Sequence, residues 1–389
     1  MEKQRVVVTG IGAVAAPGIG IDAIWKGLIA GPSGPGPHVI ENWDPEPIIP
    51  KRDSRRLDRF TQFALVAADE AFRQAGDFVD DPNDVTVSMA TGIGGLESLE
   101  SLVNESQKDE PRVSPFIVPM MMANAAAAAI SIKYGFGGQA NTPVVACAAG
   151  SQSILDGMRQ IQWGYADVAI VGGTEAAARD SAREGFSAAR ALSKSGVARP
   201  FDVERDGFVM GEGGAVLVLE GLERAEARGA TILAEVLGGA STADAHHITA
   251  PHPEGDGAER AMLLALDDAD LDPGQVAYIN AHGTGTDLND RTEGLVIQRV
   301  FGDQQPAVSS IKGTTGHALG ASGSIEAVMV VESMIRKELL PNIGLDSQDP
   351  EIPLTDIVRD LRPWTPGPSL SNSFGFGGHN TVLAFAPPA

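Results

Sequence analysis

The sequence predicts an α/β fold in which strands lie buried between helical layers and two halves of the chain follow one plan. Three observations predict it. Short apolar, β-branched runs alternate throughout with longer helical patterns. The 46 Gly and 25 Pro are spread among those runs as tight turns, with no low-complexity linker. Each half also opens on a strand and later carries a strand that leads through a loop with a reactive side chain into a helix: Cys147 in the first half, His282 in the second.

The strand candidates, in order, are Arg5–Thr9, Val85–Met89, Val144–Ala146, Val168–Val171 and Ala215–Leu219, then Ile232–Leu237, Val276–Ala281, Ala307–Ser310 and Thr381–Phe385. The helix candidates are Phe60–Ala75, Ala149–Trp163, Gly257–Ala269, Asp290–Phe301 and Ser324–Glu338. In the second of these, Ile154, Met158 and Ile161 recur on one helical face, and Gly164 supplies the stop. The Pro- and Gly-rich stretch Gly31–Pro50 reads as a surface loop. The seam between the halves falls in the charged stretch Glu220–Gly229, which divides the chain into 1–228 and 229–389. The halves share pattern rather than recognisable identity.

Composition narrows the function classes. The 389 residues are 43% hydrophobic and 21% charged, a globular balance. The net charge of −22 argues against nucleic acid as a partner, because phosphates need a basic face. No apolar run approaches the length of a membrane span. The single cysteine excludes an internal disulfide and fits a reducing compartment, and Met1–Arg5 enters the first strand with no apolar signal region, so the expected location is the cytoplasm. The basic minority is uneven: Lys51–Arg59 holds five cations in nine residues. That is either a solvated helix start or a patch that steers an acidic partner.

Two patterns are set aside. Val6–Ala15 matches a strand followed by G-x-G-x-x-A, the dinucleotide fingerprint, but Pro17, Gly18 and Gly20 follow where a helix is required, and no acidic residue ends a second strand. His246, His247 and His252 lie close in sequence, yet no carboxylate or thiol completes a familiar metal spacing. Neither a metal nor a cofactor is expected.

Four segments carry chemistry. Cys147 sits at a strand-to-helix junction among Ala148, Ala149 and Gly150, where a substrate carbonyl can approach and where the helix N-terminus favours the thiolate. His282 lies in Asn280-Ala281-His282-Gly283-Thr284-Gly285-Thr286. His317 follows Lys312 by five residues, within Ser310-Ile311-Lys312-Gly313-Thr314-Thr315-Gly316-His317-Ala318-Leu319-Gly320-Ala321-Ser322-Gly323. The fourth segment, Asn372-Ser373-Phe374-Gly375-Phe376-Gly377-Gly378, is a glycine-rich turn with two aromatics before the last strand. Together they offer a nucleophile, two imidazoles that donate hydrogen bonds or exchange protons, a lysine that holds one imidazole neutral or pairs with Glu326, and backbone N–H groups for an oxyanion.

On these segments, and on Val171-Gly172-Gly173-Thr174-Glu175, Ala189-Arg190-Ala191-Leu192-Ser193, Arg199-Pro200-Phe201-Asp202 and Arg205–Gly213, the chain resembles the β-ketoacyl-acyl-carrier-protein synthases, the condensing enzymes of type II fatty acid elongation, over essentially its whole length. The resemblance implies the thiolase-like fold: two βαβαβαββ halves in a five-layered α-β-α-β-α arrangement. It implies that Cys147 takes the acyl chain as a thioester, and that His282 and His317 bind the malonyl thioester carbonyl and promote decarboxylation. Lys312 supports the site, tied to Glu326. The N–H groups of Cys147 and Phe376 form the oxyanion hole, and Phe376 gates the acyl pocket. Thr284 and Thr286 hold the pantetheine arm, and Phe374, Gly375 and Gly377 border the substrate. Arg55, Arg56 and Arg190 form the docking face for acyl carrier protein. Two histidines, rather than a His and an Asn, imply the elongation branch.

The resemblance also implies a homodimer, or a heterodimer with a chain-length factor, and leaves open a specialised polyketide, polyene or lipid pathway. By the same resemblance, Met120–Met122 would line the acyl pocket. Two departures also fall near that pocket: Ala148-Ala149 stand where small hydroxyl residues are common, and Ile117 where an aromatic is frequent. The Gly31–Pro50 loop is shorter than usual. A non-catalytic partner subunit would lack the nucleophile, and a thiolase would need a second cysteine that this chain does not have.

Overall fold

The computed structural model describes residues 3–32 and 34–388. Ten strands carry the architecture: β1 (Val6–Ala15), β2 (Val85–Ala90), β3 (Ala140–Asn141), β4 (Val168–Glu175), β5 (Gly213–Gly221), β6 (Ala234–Ala243), β7 (Tyr278–Asn280), β8 (Ala307–Ser309), β9 (Ser369–Gly375) and β10 (His379–Ala386). They run in the spatial order β3-β2-β4-β5-β1, then β6-β10-β9-β7-β8. Adding five to each number of the first set and reversing it gives the second. The hands agree too: β3, β2 and β4 are parallel and β5 and β1 antiparallel, as β8, β7 and β9 are parallel and β10 and β6 antiparallel. The two sets touch edge to edge only where Val6–Val8 of β1 pairs with Ala234–Val236 of β6.

Five helices fill the layers. Helix α1 (Arg59–Ala75) covers the outer face of the first sheet, where Phe60, Phe63, Ala67 and Ala71 bury against Val14, Val216 and Val218. Helices α3 (Asp256–Asp268) and α4 (Asp287–Phe301) cover the outer face of the second, around Ile279, Val308 and Val382. Between the sheets lie α2 (Ala149–Gln162) and α5 (Ser322–Arg336), whose Ile154, Met158, Ile325 and Met329 share one core with β1 and β10. Every residue of α5 from Ser322 to Met334 is buried, as expected for a helix walled in on all sides. Strands covered on both faces likewise read as continuous apolar runs, and β1, β2, β4 and β5 are buried along their full lengths.

The central helices meet at their N-termini in a reciprocal contact. A Cβ on Gly150 would lie 2.7 Å from the Ser324 amide nitrogen, and one on Gly323 would lie 2.4 Å from the Ser151 hydroxyl oxygen. Each helix is entered through a 3-10 turn, Ala146–Ala148 before α2 and Leu319–Ala321 before α5. In each turn the first residue is left-handed, Ala146 at φ 50° and Leu319 at φ 43°. This superposes Ala146-Cys147-Ala148-Ala149-Gly150-Ser151 on Leu319-Gly320-Ala321-Ser322-Gly323-Ser324. In this register Ala148, Gly150 and Ser151 recur as Ala321, Gly323 and Ser324, at the place where the helices cross.

Some sequence expectations shift. Val144–Ala146 is not a strand: the edge strand is the two-residue β3, Val144–Val145 is irregular, and Ala146 already belongs to the turn. β9 was hidden because Ser369, Ser371, Asn372 and Ser373 are polar yet fully buried, which defeats a reading by apolar alternation. Shorter helices at Ile21–Ala30, Leu96–Ser106, Ala125–Tyr134 and Asp180–Ala188 join those expected. Among the described residues no helix is long and apolar enough to cross a membrane.

The glycines of the dinucleotide-like stretch have another use. Val6–Ala15 is one continuous strand, and Gly10 and Gly12 let α1 come down onto it. A Cβ on Gly12 would sit 2.1 Å from the Ala67 carbonyl oxygen, and one on Gly10 would sit 2.3 Å from that of Ala71. Neither oxygen can swing aside, since both belong to the helix backbone. Gly12→Ala is expected to cost about 1–3 kcal/mol or more through overpacking, read as a lowered urea midpoint at unchanged slope.

Candidate active site

The four chemical segments come from both halves and converge on one cavity of about 410 Å³. Cys147 lies in the turn that feeds α2, where the left-handed Ala146 bends the chain so that the thiol faces inward. That conformation costs a non-glycine residue about 1–3 kcal/mol and persists only where its surroundings enforce it. The Phe376 N–H and the Cys147 N–H both face the sulfur. Gly375 makes this approach possible, because a Cβ there would stand 3.0 Å from the Cys147 nitrogen.

The thiol is not the activated thiolate that its helix position suggests. Cys147 is buried, and burial pushes it up to about 12. The Phe376 N–H, Lys312 and its own N–H pull the other way and lose. The helix N-terminus thus supplies donors for an incoming oxygen more than it ionises the sulfur.

His282 follows β7 and His317 follows the short helix Lys312–Thr315. Their rings meet edge to face with centroids 5.3 Å apart at 84°, and both line the cavity. Lys312 lies behind His282, its Nζ 3.4 Å from the ring Nδ1 and donating to the His282 carbonyl at 2.7 Å. The same ammonium pairs with Glu326 of α5, and both side chains are almost wholly shut from water. Burial first, then the Lys312 charge, then His317 hold His282 well below the usual imidazole range. Burial and then Lys312 do the same to His317. Both imidazoles are therefore neutral near pH 7, each with one N–H to donate.

Other expected residues fall into place unevenly. Thr284 and Thr286 line the cavity and bond each other, Oγ1 to Oγ1, at 2.9 Å. Phe374, Gly375, Phe376 and Arg190 also line it. Gly377 does not: it turns at φ 83°, and its N–H bonds the Ile248 carbonyl at 2.8 Å. Arg55 and Arg56 are exposed and away from the cavity wall, with Arg56 lying 4.7 Å over the Phe116 ring. Nor do Met120–Met122, Ile117, Ala148 or Ala149 reach that wall in the single chain, so the departures at 148–149 and 117 leave its described surface unchanged.

Several residues of the site have no role legible in the sequence, although Phe208 and Ser322 lie inside the stretches Arg205–Gly213 and Ser310–Gly323. Glu293 of α4 accepts from the His282 and Gly283 N–H groups, both at 2.8 Å, and from Asn372 Nδ2 at 3.0 Å, so it ties the β7 loop to β9. Burial pushes it up to about 7 despite these donors. Ser322 meets His317 Nδ1 at 2.9 Å. Phe208 packs edge-on against His317 at 5.3 Å, and Phe186 packs on Phe208 and Phe376, forming an aromatic wall around the thiol.

Comparison with known proteins gives the family and the fold. The chain matches the family model of the β-ketoacyl synthase N-terminal domain over residues 47–225 and that of the C-terminal domain over residues 233–346. It is 44% identical to a 3-oxoacyl-[acyl-carrier-protein] synthase 2 of Synechocystis sp., covering 99% of this chain and 98% of that protein. The solved ishigamide ketosynthase/chain length factor superposes with a TM-score of 0.93 at 32% identity over 100% of both chains. A type II polyketide ketosynthase, solved in complex with its acyl-carrier protein and bound to the hexaketide, superposes at 0.90 with 29% identity, also over 100% of both.

Two titrations check the electrostatics. Lowered imidazole values mean that the neutral form survives below the ordinary midpoint, so NMR of His282 and His317 is expected to show no protonation between pH 8 and about pH 6.5. A raised thiol value means that thiolate appears late. Alkylation of Cys147 by iodoacetamide should therefore still be climbing above about pH 9, where an ordinary thiol levels off.

Proposed function

The chain belongs to the β-ketoacyl synthase family, and from that premise we infer that it lengthens an acyl chain by two carbons through decarboxylative condensation with malonyl-acyl-carrier protein, as a 3-oxoacyl-[acyl-carrier-protein] synthase. One observation supports the residue roles above all: Cys147, faced by two backbone N–H groups, shares a cavity with two imidazoles that are neutral and hence donors.

In the first half-reaction the Cys147 sulfur attacks the carbonyl of an acyl carrier thioester. Its oxygen becomes an oxyanion that the Cys147 and Phe376 N–H groups receive. The carrier's C–S bond breaks, and the leaving pantetheine sulfur takes the proton that Cys147 gave up. A thiol that rests protonated suits this exchange, since the proton travels with the departing thiol. In the second half-reaction a malonyl thioester occupies the same site, so the kinetics are ping-pong. The bond to its carboxylate breaks, CO₂ leaves, and the electron pair becomes an enolate held by N–H donors of His282 and His317. The enolate carbon then attacks the Cys147 thioester, the C–S bond breaks, and the sulfur leaves as a thiolate that takes one proton from water to return to the resting thiol. No strong base is needed, which is why two neutral donors fit better than a proton acceptor.

The remaining roles follow position. Lys312 and Glu326 fix His282, Thr284 and Thr286 take the pantetheine arm, and Phe374, Gly375 and Gly377 shape the turn that presents Phe376 as gate. The halves 1–228 and 229–389 supply the nucleophile and the imidazoles respectively. Arg190 at the cavity and the exposed Arg55 and Arg56 give an acidic carrier protein a basic face on a chain of net charge −22. The setting is the cytoplasm. Exposed Phe116, Val118, Met122 and Ile132, together with the short edge strand β3, favour pairing with a second chain. Identity of 44% to an elongation synthase against 32% to the ishigamide ketosynthase favours fatty acid elongation and a homodimer over a specialised pathway with a chain-length factor.

Intact-protein mass spectrometry after exposure to acyl carrier proteins, then malonyl carrier protein, tests the reaction: a thioester on Cys147 and a product two carbons longer are expected, and Cys147→Ala should give neither. His282→Ala or His317→Ala should still be acylated but decarboxylate malonyl carrier protein about 10²–10³-fold more slowly, the scale of one lost oxyanion donor. Arg55→Glu with Arg56→Glu should weaken carrier binding, with the difference shrinking as salt rises. Sedimentation of the protein alone should give twice the mass of one chain. A monomer that pairs only with a second, non-catalytic subunit would favour the specialised pathway.

A further inference from the structure

The two imidazoles are held differently. His282 Nδ1 faces the ammonium of Lys312, which carries no lone pair and can only donate. His317 Nδ1 faces the Ser322 hydroxyl oxygen at 2.9 Å, at the first residue of α5, and a hydroxyl can give or take. The surroundings decide which. Among the described residues Ser322 Oγ has one hydrogen-bond partner, His317 Nδ1. If Nδ1 carried the proton, the hydroxyl hydrogen would be left without an acceptor in a buried position. If the hydroxyl donates to Nδ1, its hydrogen has an acceptor. The imidazole hydrogen is then on Nε2, the ring nitrogen left free for the cavity that His317 lines.

We propose that Ser322 is a positioning residue: its hydroxyl donates to His317 Nδ1, and so fixes the tautomer that presents Nε2–H to the malonyl thioester oxygen. His317 also donates from its backbone to the Val209 carbonyl at 2.7 Å and rests edge-on against Phe208, so the ring has little freedom besides its tautomer. Ser322 is set in place by the crossing of the central helices, where the neighbouring Gly323 abuts Ser151. The consequence for catalysis rests on the condensing reaction inferred above. The tautomer itself does not.

The test uses the full chain labelled with ¹⁵N-histidine, together with Ser322→Ala and Ser322→Thr. In the unaltered protein, without substrate, the His317 ¹⁵N spectrum should show Nε2 protonated and Nδ1 unprotonated and hydrogen-bonded. Ser322→Ala should leave a mixture of tautomers, slow decarboxylation of malonyl carrier protein about fivefold, the scale of one ordinary hydrogen bond, and leave the rate of Cys147 acylation unchanged. Ser322→Thr, which keeps the hydroxyl, should restore the single tautomer and most of the rate. A proton on Nδ1 in the unaltered protein overturns the proposal, as does full decarboxylation by a folded Ser322→Ala. Should that variant fail to fold, the spectrum of the unaltered protein still decides. A chain with the expected tautomer but no condensing activity would instead overturn the functional reading and leave this assignment standing.

Discussion

An ammonium and a carboxylate, both almost fully removed from water, sit beneath the His282 ring, and much of the site is arranged around them. Desolvating Lys312 and Glu326 is expensive, and their attraction offsets that cost only while both are present and well placed. Removing one member of such a pair typically costs about 3–5 kcal/mol, because a bare charge is left inside the protein. The pair also does local work. Through Lys312 it grips the His282 carbonyl and presents a positive charge to the ring, which adds to burial in keeping the imidazole neutral. Through Glu326 it ties the β7 loop to the central helix α5, whose first turn addresses the other histidine.

The arrangement separates two demands that compete in an exposed site. Binding an oxyanion needs fixed donors in a dry place, while ionising a thiol needs water or charge. Burial around Cys147 satisfies the first and opposes the second. The chemistry tolerates that choice, since transthioesterification returns a proton to the leaving sulfur, and decarboxylation supplies its own electron pair. Two neutral histidines, a neutral thiol and two backbone N–H groups are then a coherent set: nothing in the cavity must be charged before the substrate arrives.

Much of this was legible in the sequence, for identifiable reasons. Cys147, His282, His317 and Lys312 stand at strand ends or in glycine-rich loops, where side-chain type and local chain geometry point the same way. The alternation of strands and helices gave the layers because doubly covered strands are apolar throughout. What was not legible depended on three dimensions. β9 is polar because it passes beside the site, so the alternation rule could not find it. Glu293 reaches the His282 loop from α4, eleven residues on, with no motif to mark it. Burial of Cys147 works against the thiolate that its helix position favours, because a helix N-terminus is visible in a sequence and depth of burial is not. The repeat between the halves stayed hidden for a similar reason: it survives chiefly in the few residues at which the central helices touch, and a glycine and a serine are too common to signal it alone.

The strand order has one further consequence. Val236 of β6 is paired on one side with Val6 of β1 and on the other with Phe385 of β10, so the first and last strands flank the same residue. During synthesis β1 must wait for β5 and β6, more than two hundred residues later, and the second sheet stays open along β6 until β10 has been made. β9, which brings Phe376 to the thiol, comes after β6 in its turn. Cys147 is therefore made well before His282, His317 and Phe376, and the cavity is complete only once both halves are in place. Contacts of such long sequence separation make for slow folding. Until the halves close, the thiol has neither the burial nor the backbone donors that surround it in the finished site.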